Sequence, residues 1–218
     1  MIKLVIFDLD GTLLNSLEDL AASTNYALRR YGYPEHELPA YRYFVGNGID
    51  KLLERALPDA VRTPENVMKI KEDFVAYYAV HKADFTAPYA GIPELLGELK
   101  RQGILLAVAS NKYHEATVAL IPAYFGEGLF DFVFGQREGI AIKPDPTIVY
   151  DIIKAAGVRK EEVLYVGDSG VDMQTAVNSG VTSVGVTWGF RDREELLANG
   201  ACHVAESPLD ILAILNEI

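Results

Sequence analysis

The chain is poor in sulfur and in aromatic nitrogen, with one cysteine, Cys202, one tryptophan and four histidines. A lone thiol closes no internal disulfide and, without a second sulfur, builds no zinc cluster, so a reducing cytoplasm is the expected compartment. Cys202 falls in a short apolar stretch and is expected to be buried and inert. His36, His81, His114 and His203 show no paired metal-ligand spacing and read as surface or packing residues. Positive charge is scarce as well: 20 Lys and Arg stand against 31 Asp and Glu, a formal net charge of −11. With no basic stripe to offset it, that balance excludes nucleic acid and anionic lipid surfaces as partners. Apolar runs such as Ile104 to Ala109 are only a handful of residues long, against the roughly 20 needed to cross a bilayer. The N-terminus reaches Asp8 too early for the apolar segment of a secretory signal, so the mature chain is expected to begin at or next to Met1. There is no Gly-x-x-x-x-Gly-Lys-Ser/Thr loop, Gly46-Asn47-Gly48 follows no strand, and Gly167-Asp168-Ser169-Gly170 lacks the spacing of an esterase elbow.

What is present is a core. Half of the 218 residues are apolar and 23% are charged, enough burial to offset ordering entropy, which excludes a disordered tail or linker. The length suits one large domain or one domain carrying a smaller insertion. Ile2 to Phe7 is an apolar, branched run cut off by Asp8-Leu9-Asp10-Gly11-Thr12, which predicts a strand buried on both faces. From Asn15, Leu17, Leu20, Ala21, Thr24, Leu28 and Tyr31 fall on one helical face; Ser16 with Asp19 predicts a capping-box-like opening, and Gly32 with Pro34 the stop. Helical patterns continue to about Lys82, broken at Gly46-Asn47-Gly48 and Pro58. After Pro88 the pattern alternates between helix (93–101, 113–123, 146–156, 171–179, 193–199, 208–217) and strand (104–109, 132–135, 163–166, 182–186, 202–205). That order predicts an α/β fold, a doubly wound and mostly parallel sheet with right-handed crossovers. Residues 1–14 and 83–218 would form it, interrupted after the first strand by an all-helical cap domain of residues 15–82.

In such sheets the ligand crevice lies beyond the carboxyl ends of the strands, where strand order reverses. The first strand ends in Asp8-Leu9-Asp10-Gly11-Thr12, the second long one in Ser110-Asn111-Lys112, and the Val163 strand in Gly167-Asp168-Ser169-Gly170-Val171-Asp172. Lys143 sits in Ile142-Lys143-Pro144-Asp145-Pro146, just ahead of a helix. Taken singly, these are ordinary turns and helix starts. Gathered at neighbouring strand ends, they would put four carboxylates, a serine and a lysine in one crevice, where repulsion and desolvation would be costly without cations. A divalent cation removes that difficulty. Mg²⁺, which favours a few carboxylates, waters and a phosphate oxygen, suits acids with no histidine or cysteine among them.

These four stretches match the four sequence motifs of the haloacid-dehalogenase-like hydrolase superfamily, and with the cap the resemblance spans nearly the whole chain. Asn15-Ser16-Leu17-Glu18-Asp19-Leu20 followed by Phe44-Val45-Gly46-Asn47-Gly48 resembles the phosphoglycolate phosphatase branch. The resemblance implies a Rossmann-like core and a Mg²⁺-dependent phosphoric monoester hydrolase. In it Asp8 is the nucleophile that forms an aspartyl-phosphate, and Asp10 is the acid and then the base. It also implies that the Asp8 carboxylate, the Asp10 main-chain carbonyl and Asp168 hold Mg²⁺, with Asp172 in support. Ser110, the Asn111 amide and Lys143 would bind the phosphoryl oxygens, Gly11 would permit the sharp turn, and Thr12 would brace it. The expected substrate is a small phosphorylated metabolite, 2-phosphoglycolate first, with the cap as a lid and Asn47 in the cap element nearest the leaving group. A β-phosphoglucomutase-like sugar phosphomutase and a pyrophosphatase of the same superfamily remain alternatives, and a non-catalytic binding protein is disfavoured by intact Asp8, Asp10, Lys143 and Asp168. A cytoplasmic monomer or homodimer is expected.

Overall fold

The computed structural model describes residues 1–218. In chain order its elements are β1 (Leu4–Phe7), β2 (Leu14–Asn15), α1 (Leu17–Arg30), α2 (Leu38–Phe44), α3 (Gly48–Ala56), α4 (Pro64–His81), β3 (Ala87–Pro88), α5 (Ile92–Arg101), β4 (Leu105–Tyr113), α6 (His114–Phe125), β5 (Phe132–Gln136), α7 (Thr147–Ala156), β6 (Val163–Gly167), α8 (Gly170–Ser179), β7 (Thr182–Val186), α9 (Arg193–Ala198), β8 (His203–Ala205) and α10 (Asp210–Glu217). Two compact units result, one of Met1–Leu14 with Pro88–Ile218 and one of Asn15–Ala87. β2 and β3 pair as a two-stranded sheet at the two points where the chain passes between units.

The first unit is built on six parallel strands in the order β5-β4-β1-β6-β7-β8. The order reverses at β1, which pairs with β4 on one side and β6 on the other, Phe7 lying opposite both Val108 and Val166. The carboxyl ends of these three strands therefore lie side by side. β1 has no polar face because its side chains alternate between two cores. Val5 and Phe7 pack with Leu106, Val108, Leu164 and Val166 under α5 and α10. Leu4 and Ile6 pack with Ala107, Ala109 and Tyr165 under α7 and α8. β4 runs past Ala109 to Tyr113, with a register shift against β5 over that stretch. An irregularity of this kind re-aims side chains at a strand end.

The second unit holds α1 to α4. Ser16 is the N-cap of α1 but makes no side-chain cap hydrogen bond, so the expected capping box is not formed. Its expected partner, Asp19, is buried and is drawn elsewhere. It accepts from the Phe85 N–H (3.0 and 3.2 Å), the Thr86 N–H (2.9 Å) and the Thr86 hydroxyl (2.6 Å). Three donors from the returning segment outweigh the single N–H of a capping box, and they carry the helical unit beyond Lys82 to Ala87. Cys202, expected to be buried, is exposed. It precedes the edge strand β8, in which only Ala205 is buried. No helix is long and apolar enough to cross a membrane.

The amino end of the sheet is tied by Glu162, buried just before β6. It accepts from Lys3 Nζ at 2.7 Å, from the Arg159 N–H at 2.9 Å and from the Arg159 guanidinium at 3.2 Å. Lys3 first, then Arg159, hold its carboxyl at about 2 against an ordinary 4.5. A depressed carboxyl pKa contributes stability above the unfolded value, lost as pH falls through the folded one. Glu162→Gln is therefore expected to lower the melting temperature at neutral pH. The gap to the wild type should close between pH 4.5 and about 2 in circular-dichroism melts.

Candidate active site

Asp8 directly follows β1, and its N–H donates to the Val166 carbonyl at 2.9 Å. The next residues wind tightly, with the Leu9 carbonyl accepting from the N–H groups of Thr12, Leu13 and Leu14. Gly11 takes φ +92°, and a Cβ there would collide with the Asp168 carboxylate, so the turn and the close approach both require glycine. Because β1, β4 and β6 are neighbours, the structure brings Asp8, Asp10, Ser110, Asn111, Lys143, Asp168 and Asp172 into one cluster.

Lys143 is its hub, with 1% of its side chain exposed. Its Nζ donates to Asp8 Oδ1 (2.8 Å), Asp172 Oδ1 (2.7 Å) and the Ala109 carbonyl (2.9 Å). It also lies 3.1 Å from the Tyr165 hydroxyl, which is itself 3.2 Å from Asp172 Oδ1. Asn111 clamps the Lys143 peptide from both sides, accepting from its N–H at 2.8 Å and donating to its carbonyl at 3.1 Å. Asp172 is anchored at the start of α8 by a capping box with Ser169, whose N–H and hydroxyl donate to Asp172 Oδ2 at 3.1 and 2.6 Å. Asp168 accepts from the Phe190 N–H at 2.7 Å and the Thr12 hydroxyl at 3.4 Å.

One oxygen from each of Asp8, Asp168 and Asp172 lies within 4.8 Å of the others. Burial, then Asp172, pushes the Asp8 carboxyl up to about 7 against the opposing pull of Lys143. Burial, then Asp172 and Asp8, pushes Asp168 well above the carboxylate range. Burial alone would lower Lys143, but Asp172 and Asp8 more than offset it and hold the group as an ammonium. Arg191, which also acts on Asp168, is paired with Glu195. Counting Asp8, Asp10, Asp168 and Asp172 against Lys112 and Lys143 then leaves a formal charge of minus two, which one divalent cation neutralises. The donors are all oxygen, the chemistry of a hard cation. These residues fit such an ion.

The Asp10 carboxylate stands outside that triad and meets Lys112 instead. Ser110 is buried, and its hydroxyl oxygen accepts from the Lys112 N–H at 3.1 Å. Asn47 belongs to the helical unit, at the N-cap of α3, where its side-chain oxygen accepts from Arg55 at 2.8 Å. Sequence reasoning passed over three side chains of the cluster. Tyr165 was visible only as the one aromatic with a polar tip in the β6 run. Ser169 was legible in the Ser-x-x-Asp spacing of a capping box, and Lys112 stood beside Ser110 and Asn111 without a role.

A family model of haloacid dehalogenase-like hydrolases matches residues 5–186. The phosphoglycolate phosphatase of Mannheimia succiniciproducens is 35% identical over 219 residues, covering 98% of each chain. That of Haemophilus influenzae is 34% identical with the same coverage. Among solved structures, a predicted phosphoglycolate phosphatase from Haemophilus somnus superposes with TM-score 0.90 at 32% identity over 98% of each chain. CbbY from Rhodobacter sphaeroides, in complex with phosphate, gives TM-score 0.77 at 26% identity over 99% of this chain and all of that one.

Tyr165→Phe keeps the ring in the core and removes only the hydroxyl between Lys143 and Asp172. A hydrogen bond to a charged group contributes about 1.5–3 kcal/mol. The variant is therefore expected to melt several degrees below the wild type, and equal melting temperatures would show that hydroxyl to be idle.

Proposed function

Since this chain belongs to the haloacid dehalogenase-like hydrolase family and is a phosphatase of phosphoric monoesters, we propose that its substrate is 2-phosphoglycolate and that Asp8 carries the phosphoryl group between two half-reactions. The observation that carries the chemistry is the contact of the buried Lys143 ammonium with Asp8 Oδ1 at 2.8 Å. It orients one carboxylate oxygen and puts fixed positive charge where a phosphoryl group would meet the other. Full-length identity to enzymes of that name supports the choice of substrate.

In the first half-reaction Asp8 attacks phosphorus, the bond to the leaving oxygen breaks, and Asp10 gives that oxygen its proton. In the second, water attacks the aspartyl-phosphate, Asp10 takes the water's proton, and inorganic phosphate leaves with Asp8 regenerated. Lys143, Ser110 and the Asn111 main-chain N–H hold the phosphoryl oxygens, the positioning on which phosphoryl transfer depends. Phosphatases of this family generally use a divalent metal. Here Asp8, Asp168 and the Asp10 carbonyl would hold Mg²⁺, with Asp172 bracing them; when bound, the ion supplies charge that offsets repulsion between the anionic nucleophile and the phosphate. Choice of substrate is assigned to the helical unit, Asn47 included, because that unit branches from the loop that carries Asp8 and Asp10. A cytoplasmic setting, as monomer or homodimer, accompanies this reading.

Measuring kcat/KM for 2-phosphoglycolate, several sugar phosphates and pyrophosphate is expected to favour 2-phosphoglycolate; preference for another of these moves the substrate and leaves the chemistry standing. Asp8→Asn should abolish turnover with an unchanged circular-dichroism spectrum, and residual activity near that of the wild type would end the nucleophile assignment. EDTA should abolish activity and Mg²⁺ restore it.

A further inference from the structure

Lys112 enters none of the steps above, yet its charge sits against the proton-transferring side chain. Its ammonium lies 3.0 Å from each oxygen of Asp10, and the two side chains are 6% and 14% exposed. Two equal contacts turn both oxygens of the carboxylate toward one ammonium and so hold its direction. The partners are 102 residues apart in sequence and meet only because β1 and β4 pair. The Lys112 backbone is held in turn: its N–H donates to Ser110 Oγ at 3.1 Å, and its carbonyl accepts from the Thr117 hydroxyl at 3.4 Å. Gly135 of β5 approaches so closely that a Cβ there would lie 2.6 Å from the Lys112 carbonyl oxygen. An enclosed lysine gives up hydration and rotamer freedom, so its charge partner is not incidental as it is for an exposed pair. Lys143 cannot take this place, being committed to Asp8 and Asp172.

We propose that Lys112 is a positioning residue for proton transfer at Asp10, aiming its carboxyl group at the leaving oxygen and stabilising the carboxylate formed as the proton departs. The inference rests on the role given to Asp10 above. When the phosphorus-to-oxygen bond breaks, the proton of Asp10 passes to the leaving oxygen and the electron pair of its O–H bond stays on Asp10. The two ammonium contacts match that product carboxylate better than the neutral acid, so the pair strengthens along the reaction, and an interaction that does so lowers the barrier. In the second half-reaction the same held carboxylate receives the water's proton.

The test compares wild type, Lys112→Met, Lys112→Arg, Asp10→Asn and the double variant Asp10→Asn with Lys112→Met, at saturating Mg²⁺. Each is assayed on an alkyl phosphomonoester and on p-nitrophenyl phosphate, whose leaving group needs little protonation. Lys112→Met is expected to lose about 10-fold to 100-fold in kcat on the alkyl ester, part of the roughly 10² to 10⁴ that general acid–base catalysis supplies. It should lose much less on the aryl ester, with KM changed by no more than about twofold on either. Lys112→Arg should recover much of the loss, and Lys112→Met should cost little in the Asp10→Asn background. Equal losses on both esters, a loss carried by KM, or an undiminished loss in the Asp10→Asn background would overturn the proposal. Should Asp10→Asn itself lose equally on both esters, the role of Asp10 fails first, and the inference with it.

Discussion

An ammonium stripped of water is costly to hold inside a protein unless charge and hydrogen bonds surround it. Lys143 is such a group, and most of the site's geometry follows from keeping it neutralised. Asp8, the Ala109 carbonyl, and Tyr165 with Asp172 reach it from β1, β4 and the β6–α8 junction respectively. The dependence is mutual, because Asp8 and Asp172 would repel each other without the cation between them. The site therefore assembles only when three parallel strands lie in register, and it would be lost if any of the three slipped.

The remaining acids are managed by different means. Asp10 has its own lysine, Lys112, placed where β4 departs from regular pairing with β5. Asp168 has a main-chain N–H, a hydroxyl and the pull of Arg191 but no lysine of its own, and burial raises its carboxyl well above the ordinary carboxylate range. The charge that the two lysines leave uncompensated is that of one divalent ion, so the chain supplies the frame of the site and leaves room for a cation in its balance.

Asp19 shows that burial of an aspartate does not by itself make chemistry. It is as hidden as Asp168, yet two peptide N–H groups and a hydroxyl satisfy it. Its effect is mechanical, joining the start of α1 to the segment that follows α4. Asp8 differs in having other carboxylates as neighbours, and that crowding is what gives a carboxylate an unsatisfied need for cations.

The alternation of strands and helices, the all-apolar first strand and the positions of the polar loops were all legible in the sequence, because a strand buried on both faces must be a continuous apolar run and must end where water or a ligand begins. The motif residues were legible too, since they stand at those ends. What only the tertiary structure decided is who pairs with whom. Nothing local distinguishes Lys143, which faces Asp8, from Lys112, which faces Asp10, because both choices depend on strand order. Asp19 was misread as a capping partner for the same reason: its donors lie 66 and 67 residues away. Cys202 was misplaced because a short apolar stretch looks alike at the centre and the edge of a sheet, and only the order of strands says which of the two it occupies.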